Sequence, residues 1–450
     1  MWRPPSPLDG RSSRRLLGGT DRELLGLAIP ALGALLAEPA FLLADSAIIG
    51  HLGTPQLAGL SIASAVMLNT VFLCIFLAHG TTAAVARQAG AGDLRQAYAL
   101  GIDGIWLGVS IGLGLAAVGI PLAPIVVDLL GASGTAAPYA VTYLRISLLG
   151  LPAMLVVLAA TGAMRGLKDT RSPLLATGLA AIANVPLNLV LVYPLGLGIA
   201  GSAIGTVIAQ AGAATWLCVV VVRGAKQHSA SLRPDRPGIR AAASANVPLL
   251  ARTLLLRISL LTMTFVAAAQ GDVALASHQI AFTLWYVLAM PPEAFAIASQ
   301  AVVGHTLGAG DAAAAKAASR RALAWGLGSG LAMAVLLLAL RPVYVPIFTT
   351  DPAVRDLVWS LVVVVAASQP IGALLYVLDG ILIGAGDTRY LAWTMLVALV
   401  TFLPLAGAVL VTEAGIVPLW WALAGWLLAR QLAVARRYRS GAWLRPGPAA

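Results

Sequence analysis

The two halves of this chain repeat one another. Pro30 recurs as Pro248, an offset of 218 residues, and the same offset relates many further positions without a gap. Examples are Gly53/Gly271, Leu57/Leu275, Gly90/Gly308, Gly92/Gly310, Asp93/Asp311, Pro124/Pro342, Pro152/Pro370, Gly166/Gly384, Asp169/Asp387, Thr170/Thr388, Arg171/Arg389 and Pro186/Pro404. Because an ungapped match over such a length is not expected by chance, the chain must build one structural unit twice.

The composition places that unit in a membrane. Of 450 residues, 59% are hydrophobic and 10% are charged, with a mean hydropathy of +0.89, whereas soluble domains carry about 25% charged residues. A transmembrane helix needs about 20 apolar residues, and alternating strand patterns are absent. The sequence predicts an all-α membrane protein with twelve spans, near 24–50, 57–79, 97–120, 138–161, 173–194, 198–222, 245–269, 274–303, 315–340, 357–383, 389–411 and 416–435.

Six spans in each half determine how the halves are related. Since six is even, both halves enter the membrane in the same sense, which predicts a parallel repeat about an axis along the membrane normal, with a substrate path between two lobes. We predict a disordered basic tail, rather than a signal peptide, at 1–22 and an N-terminal lobe at 23–222. A cytoplasmic linker at 223–243 leads to a C-terminal lobe at 244–436 and a cytoplasmic tail at 437–450.

The basic residues predict the orientation. They concentrate in the tails and in the loop after every second span, whereas the intervening loops carry only Arg341 and Arg355. The positive-inside rule then places both termini in the cytoplasm. The net charge of +11 is therefore a topology signal, and we expect no nucleic-acid partner.

Several motifs are interpreted as structural. The segments "AGAGD" and "LGAGD" lack the lysine of a phosphate-binding loop, so we expect Asp93 and Asp311 to cap the helices that follow. The histidines do not form a metal-ligand pattern, and Cys74 and Cys218 lie in apolar stretches, which argues against a disulfide framework. We therefore expect neither a metal nor a cofactor, and transport would depend on an ion gradient or proceed without an energy source.

Two acids in the first span are functional candidates. Glu38 and Asp45 are seven residues apart, which puts them on nearly the same helix face, roughly 10 Å apart along the axis. A carboxylate in a bilayer costs several kcal/mol unless it is protonated, paired or hydrated. The repeat places Leu256 and Met263 at the equivalent positions, so the shared scaffold does not require these acids.

A group of motifs resembles one transporter family. The segments "ADSAIIGHLGTPQLAGL", "RGLKDTRSP", "GLGIAGSAIGTVIAQ", "ALASHQIAF", "VVGHTLGAGD" and "GAGDTR" are similar to multidrug and toxic-compound extrusion (MATE) proteins of the DinF-like branch, over roughly residues 20–435. The resemblance implies the V-shaped six-plus-six fold of the MOP superfamily. It also implies cation-coupled export of organic, often cationic, compounds across a bacterial inner membrane, and no enzymatic activity. We expect a monomer whose partners are a small organic substrate and the lipid bilayer.

The resemblance also assigns residues to ion coupling. The family's first-helix aspartate corresponds to Asp45, and its polar pair in the fifth helix corresponds to Asn184 and Asn188. The second position of that pair is Asp in the family's archaeal pattern. The acid that sodium-linked relatives carry in the seventh helix is missing, and Arg252 and Arg257 occur there instead. Protons are therefore favoured over sodium as the coupling ion.

Other ionisable residues in the spans form a second rank: Glu293, which follows Pro291-Pro292, Arg257 and Asp379. We hypothesise that Glu38 and Arg257 form a salt bridge between the lobes in one access state. Candidates for the substrate cavity wall are Met67, Phe72, Phe76, Trp285, Tyr286 and Met290. The alternative functions are a flippase for lipid precursors, which would require several cavity cations, and sodium-coupled efflux.

Overall fold

The chain forms thirteen α-helices in the part that the structure, a computed structural model, describes, namely residues 18–131 and 134–447. Residues 1–17 of the predicted tail at 1–22 and the side chain of Glu38 lie outside the described residues. The helices are α1 Gly19–Gly50, α2 Thr54–Leu73, α3 Phe76–Gly90, α4 Leu94–Leu129, α5 Ala136–Gly166, α6 Arg171–Val192, α7 Gly198–Gln227, α8 Arg236–Ala269, α9 Asp272–Gly308, α10 Ala312–Phe348, α11 Pro352–Gly384, α12 Thr388–Thr412 and α13 Ile416–Arg439.

Twelve segments of the described residues are long and apolar enough to cross a membrane, which confirms the predicted number. Helices α2 and α3 form one of these spans, interrupted at Cys74 and Ile75. The helices extend past the predicted spans. The first turn of α1 begins at Gly19, inside the predicted tail, and the link between α7 and α8 is only 228–235. Asp235 ends this link because its carboxylate accepts the Gly238 amide N–H at 3.0 Å and so caps α8.

Two predicted caps are confirmed. The carboxylate of Asp93 accepts the N–H of Gln96 at 2.9 Å, and that of Asp311 accepts the N–H of Ala314 at 2.8 Å. Each Asp thereby satisfies a backbone donor that the first helical turn leaves without a partner. These glycine-rich segments are therefore turns that start helices α4 and α10.

The repeat is visible in the packing. In the N-terminal lobe, α1 to α7, α3 packs against α5 so closely that a Cβ on Gly162 would meet the carbonyl of Ala78. In the C-terminal lobe, α8 to α13, α9 packs against α11, and a Cβ on Gly380 would meet the carbonyl of Ala296. The 218-residue offset relates Gly162 to Gly380 and Ala78 to Ala296, so the second contact is the repeat of the first. Small residues allow helix backbones to approach closely in membranes, so the scaffold contact is duplicated together with its sequence.

The lobes meet where α3 and α9 end, and we call this contact the α3/α9 crossing. A Cβ on Gly90 would meet the carbonyl of His305, and a Cβ on Gly308 would meet the carbonyl of Arg87. These two contacts are again related by the offset, so the crossing lies on the axis of the repeat. We call this end of the molecule the closed end.

An ion pair also joins the lobes at the closed end. Asp21 of α1 is buried and accepts hydrogen bonds from the guanidinium of Arg321 and, at 3.0 Å, from the indole of Trp325. Both partners are on α10. The two lobes are therefore held together by backbone packing at the crossing and by a salt bridge at its side.

Candidate functional site

A buried carboxylate lies in the N-terminal lobe. Asp45 of α1 is 1% exposed. One of its oxygens accepts a hydrogen bond from the Asn188 amide. The other lies 3.3 Å from the hydroxyl of Thr206 and 3.4 Å from that of Tyr143. Helices α1, α5, α6 and α7 therefore meet at this carboxylate.

Asn184 and Asn188 complete the cluster from α6. They are one helical turn apart, both are fully buried, and the Asn188 amide donates to the Asn184 carbonyl at 3.1 Å. The Asn184 amide lies 3.4 Å from the Thr206 hydroxyl. Gly205 of α7 makes room for the pair, because a Cβ there would collide with the carbonyl oxygen of Asn188. The structure thus brings together three of the four predicted coupling residues: Asp45, Asn184 and Asn188.

The partners of Asp45 are all neutral. The ion pairs among the described residues do not include Asp45. A buried carboxylate that has no counter-charge is stable only when it takes up a proton or a cation. The cluster supplies carboxylate, amide and hydroxyl oxygens, which are the ligands that hard cations prefer. The geometry is therefore suited to reversible binding of one small positive charge.

Tyr143 and Thr206 are not among the residues predicted from sequence. A comparison of the two halves of the repeat would have identified them. Their equivalents in the C-terminal lobe are Leu361 and Ala424, which are buried and apolar. The equivalents of the predicted residues are likewise buried and apolar, namely Met263, Phe402 and Ala406. A position that is polar in one lobe and apolar in the other is not required by the shared scaffold. All five positions of the cluster have this property.

Asp379, a buried acid of the C-terminal lobe, differs from Asp45 because it is paired with cations. Asp379 of α11 forms ion pairs with Arg252 of α8 at 2.6 Å and with Arg430 of α13 at 2.5 Å. Glu293 of α9 lies within electrostatic range of Arg252, Asp379 and the partly buried Arg165 of α5. This group of charges joins helices of the C-terminal lobe to one residue of the N-terminal lobe. Because Asp379 has two cationic partners, it does not need an external ion.

Arg257 lies at the interface of the lobes. Its guanidinium is 3.8 Å from the centroid of the Phe72 ring on α2, a cation–π contact from the C-terminal lobe to the N-terminal lobe. The predicted pairing of Arg257 with Glu38 stays a prediction, since the side chain of Glu38 is outside the described part of the chain.

The predicted substrate-contacting residues fall into two groups. Tyr286 is 47% exposed and Phe72 is partly buried beneath Arg257. The remaining four are packed inside the protein in this conformation: Met67, Phe76, Trp285 and Met290. Their proposed contact with substrate stays a prediction.

Known proteins resemble this chain over nearly its full length. The MatE family model matches residues 30–190 and again residues 248–407, so the two matches begin at the offset of the internal repeat. Protein DETOXIFICATION 44, chloroplastic, from Arabidopsis thaliana is 31% identical, over 95% of this chain and 84% of its own. DNA damage-inducible protein F from Escherichia coli strain K12 is 27% identical, over 95% of both chains.

Solved structures share the fold. A MATE protein crystallised in a bent conformation superposes with a TM-score of 0.87 at 20% identity, over 95% of this chain and 96% of its own. An outward-facing multidrug resistance MATE transporter of the MOP superfamily gives a TM-score of 0.83 at 21% identity, over 95% and 97% of the two chains. The predicted arrangement of two six-span lobes is therefore confirmed.

Proposed function

The chain belongs to the MatE family, whose members are multidrug efflux transporters rather than enzymes, and we propose that it is a proton-coupled antiporter for organic compounds. The observation that carries this proposal is the isolated carboxylate of Asp45. In the transport cycle Asp45 takes up a proton from one side of the membrane and releases it on the other. Export of the organic compound is linked to that exchange through movement of the lobes.

The surroundings of Asp45 support a proton over sodium. The site has a single carboxylate, because Asn188 stands where an acid would provide a second charge. A single proton is enough to neutralise this carboxylate. A sodium ion would, in addition, have to exchange its hydration shell for several protein oxygens. Sodium coupling is the alternative, since the amide and hydroxyl oxygens of the cluster are suitable ligands.

The distribution of basic residues supports a cytoplasmic position for the closed end. Arg87, Arg165 and Lys168 lie near the ends of α3 and α5 at that end, and the positive-inside rule assigns such residues to the cytoplasm. Both termini are then cytoplasmic as well. With the lobes joined on this side, we assign the conformation to an outward-facing state in a bacterial inner membrane.

The substrate class that we propose is organic compounds, often cationic. A flippase for lipid pyrophosphates would need several free cations in its cavity. Arg252 and Arg430 are instead engaged by Asp379, and this pairing weakens the flippase alternative.

The test is transport into vesicles that contain the purified protein. A fluorescent organic cation should accumulate when a pH difference is imposed at equal sodium concentration, and should not accumulate when only a sodium difference is imposed. Asp45→Asn should abolish accumulation, whereas Asp272→Asn, which changes an exposed acid at the start of α9, should leave it unchanged. Accumulation that follows the sodium difference, or that persists in Asp45→Asn, would contradict the proposal.

A further inference from the structure

The chain turns back on itself after α13. Trp443 is 1% exposed, its ring stacks on that of Tyr438 with centroids 5.4 Å apart, and its indole donates to the Tyr438 carbonyl at 2.9 Å. The Tyr438 hydroxyl is in turn 2.8 Å from the hydroxyl of Ser319 on α10. These contacts fix the start of the C-terminal segment to the C-terminal lobe.

The next residues contact both lobes. The carbonyl of Arg445 accepts a hydrogen bond of 2.8 Å from the guanidinium of Arg87, at the end of α3. The amide of Gly447 donates at 2.9 Å to the carbonyl of Leu307, at the end of α9. Leu307 precedes Gly308, which packs against the carbonyl of Arg87. Residues 441–447 therefore lie across the α3/α9 crossing.

The contact with Arg87 is important because the guanidinium is buried. Arg87 is 6% exposed, and two of its nitrogens, Nε and Nη1, have no hydrogen-bond partner among the described residues. A buried charged group is costly unless it is hydrogen-bonded, and a bond from a charged donor is stronger than a neutral one. The Arg445 carbonyl thus stabilises Arg87 only while the lobes are together.

We propose that residues 441–447 form a strap that holds the two lobes together at the closed end. The strap is anchored to the C-terminal lobe through Trp443, and it releases Arg87 when α3 and α9 separate. It therefore sets the ratio of the closed to the open population at this end of the molecule. This inference rests on the proposed alternating-access function, but it does not depend on the coupling ion or on the substrate.

The test measures the distance between the lobes directly. Spin labels at Arg95→Cys and Ala313→Cys, two exposed positions related by the repeat, report on the closed end in a background in which Cys74 and Cys218 are replaced by Ala. In wild type we expect a short distance to dominate. A chain that ends at Trp443 keeps the anchor and loses both strap contacts, so the ratio of open to closed populations should rise on the order of tenfold.

Two further variants make the result specific. Arg87→Ala removes the contact from the N-terminal lobe and leaves the C-terminal segment intact, so it should open the closed end in the same direction as the truncation. Arg445→Ala keeps the backbone carbonyl that accepts the bond, so its distance distribution should match wild type. The proposal is overturned if the truncated chain and Arg87→Ala both keep the wild-type distribution, or if Arg445→Ala opens the closed end as much as the truncation does. Failure of proton coupling would change transport and leave these distances unaffected.

Discussion

At the scale of single residues, two of the buried aspartates, Asp45 and Asp379, have opposite electrostatic surroundings. Asp379 is paired with Arg252 and Arg430, so its charge is compensated within the protein. Within the described part of the chain, Asp45 has amide and hydroxyl partners only. Since burial penalises an uncompensated charge, the first arrangement favours a permanent anion and the second favours a group that gains and loses a positive charge.

The difference predicts opposite effects on stability. Asp379→Ala leaves the buried guanidinium of Arg430 and the partly buried one of Arg252 without their shared partner, and the loss should lower the free energy of unfolding by about 3–5 kcal/mol. Asp45→Asn keeps an oxygen that accepts from Asn188 and removes a buried charge, so its stability should equal or exceed that of wild type. Thermal unfolding in detergent checks both variants. Equal losses of stability in the two would contradict the assignment of Asp45 to a functional role.

The hydroxyl of Thr206 should be needed for coupling. Thr206→Val keeps the shape of the side chain but removes its contacts with Asp45 and Asn184, so export should fall about tenfold, as expected when a buried hydrogen bond to a charged group is lost. Thr401→Val is the matched control, because the bonds of the Thr401 hydroxyl to described residues are all to carbonyls of its own helix. Transport rates that are the same in both variants would exclude a role for Thr206.

At the scale of helices, the α3/α9 crossing depends on two glycines. In Gly308→Ala the new Cβ would meet the carbonyl of Arg87, and overpacking of this kind costs about 1–3 kcal/mol. The ratio of the closed to the open population should therefore fall roughly five- to 160-fold, and export should slow. Gly328→Ala is the control, since a Cβ there meets nothing within 4 Å. Transport assays on the two variants, with unfolding temperatures as a check on folding, test the crossing.

The sequence predicts some of these elements and misses others, for identifiable reasons. The caps at Asp93 and Asp311 were predictable because they depend on local turn chemistry. The interruption between α2 and α3 was not, since neither Cys74 nor Ile75 is a residue that breaks helices. The pairing of Asp379 with Arg430 and the placement of residues 441–447 depend on contacts between distant segments, which a single sequence does not reveal. The cluster around Asp45 was predictable in part. Comparison of the two halves identifies its residues as polar positions that are apolar in the other lobe, but the sequence does not show that these residues contact one another.

At the scale of the whole molecule, a symmetric scaffold carries asymmetric chemistry. The helix contacts of Gly162 and Gly380 repeat in both lobes, whereas the polar cluster of the N-terminal lobe is replaced by apolar residues in the other. The shared contacts give the lobes similar shapes, which suits a movement of one lobe against the other. In the proposed mechanism, the unshared residues confine ion binding to the N-terminal lobe.

The orientation of the molecule is a separate prediction. Because basic residues concentrate at the closed end, a reporter fused after Arg445 should be cytoplasmic. A cysteine at Thr54, at the opposite end of the protein, should react from outside the cell with a thiol reagent that does not cross membranes. Labelling of intact cells and of inverted vesicles checks both positions, and the reverse pattern would contradict the proposed sidedness.

The most direct measurement of the central proposal counts protons. Purified protein in a weakly buffered detergent solution with a pH indicator is mixed with a saturating organic cation, such as ethidium. If Asp45 exchanges its proton for substrate, wild type should release about one proton per molecule, and Asp45→Asn should release none while still binding the cation. Release of a proton by Asp45→Asn, or binding to wild type without any release, would contradict the assignment of Asp45 as the coupling residue.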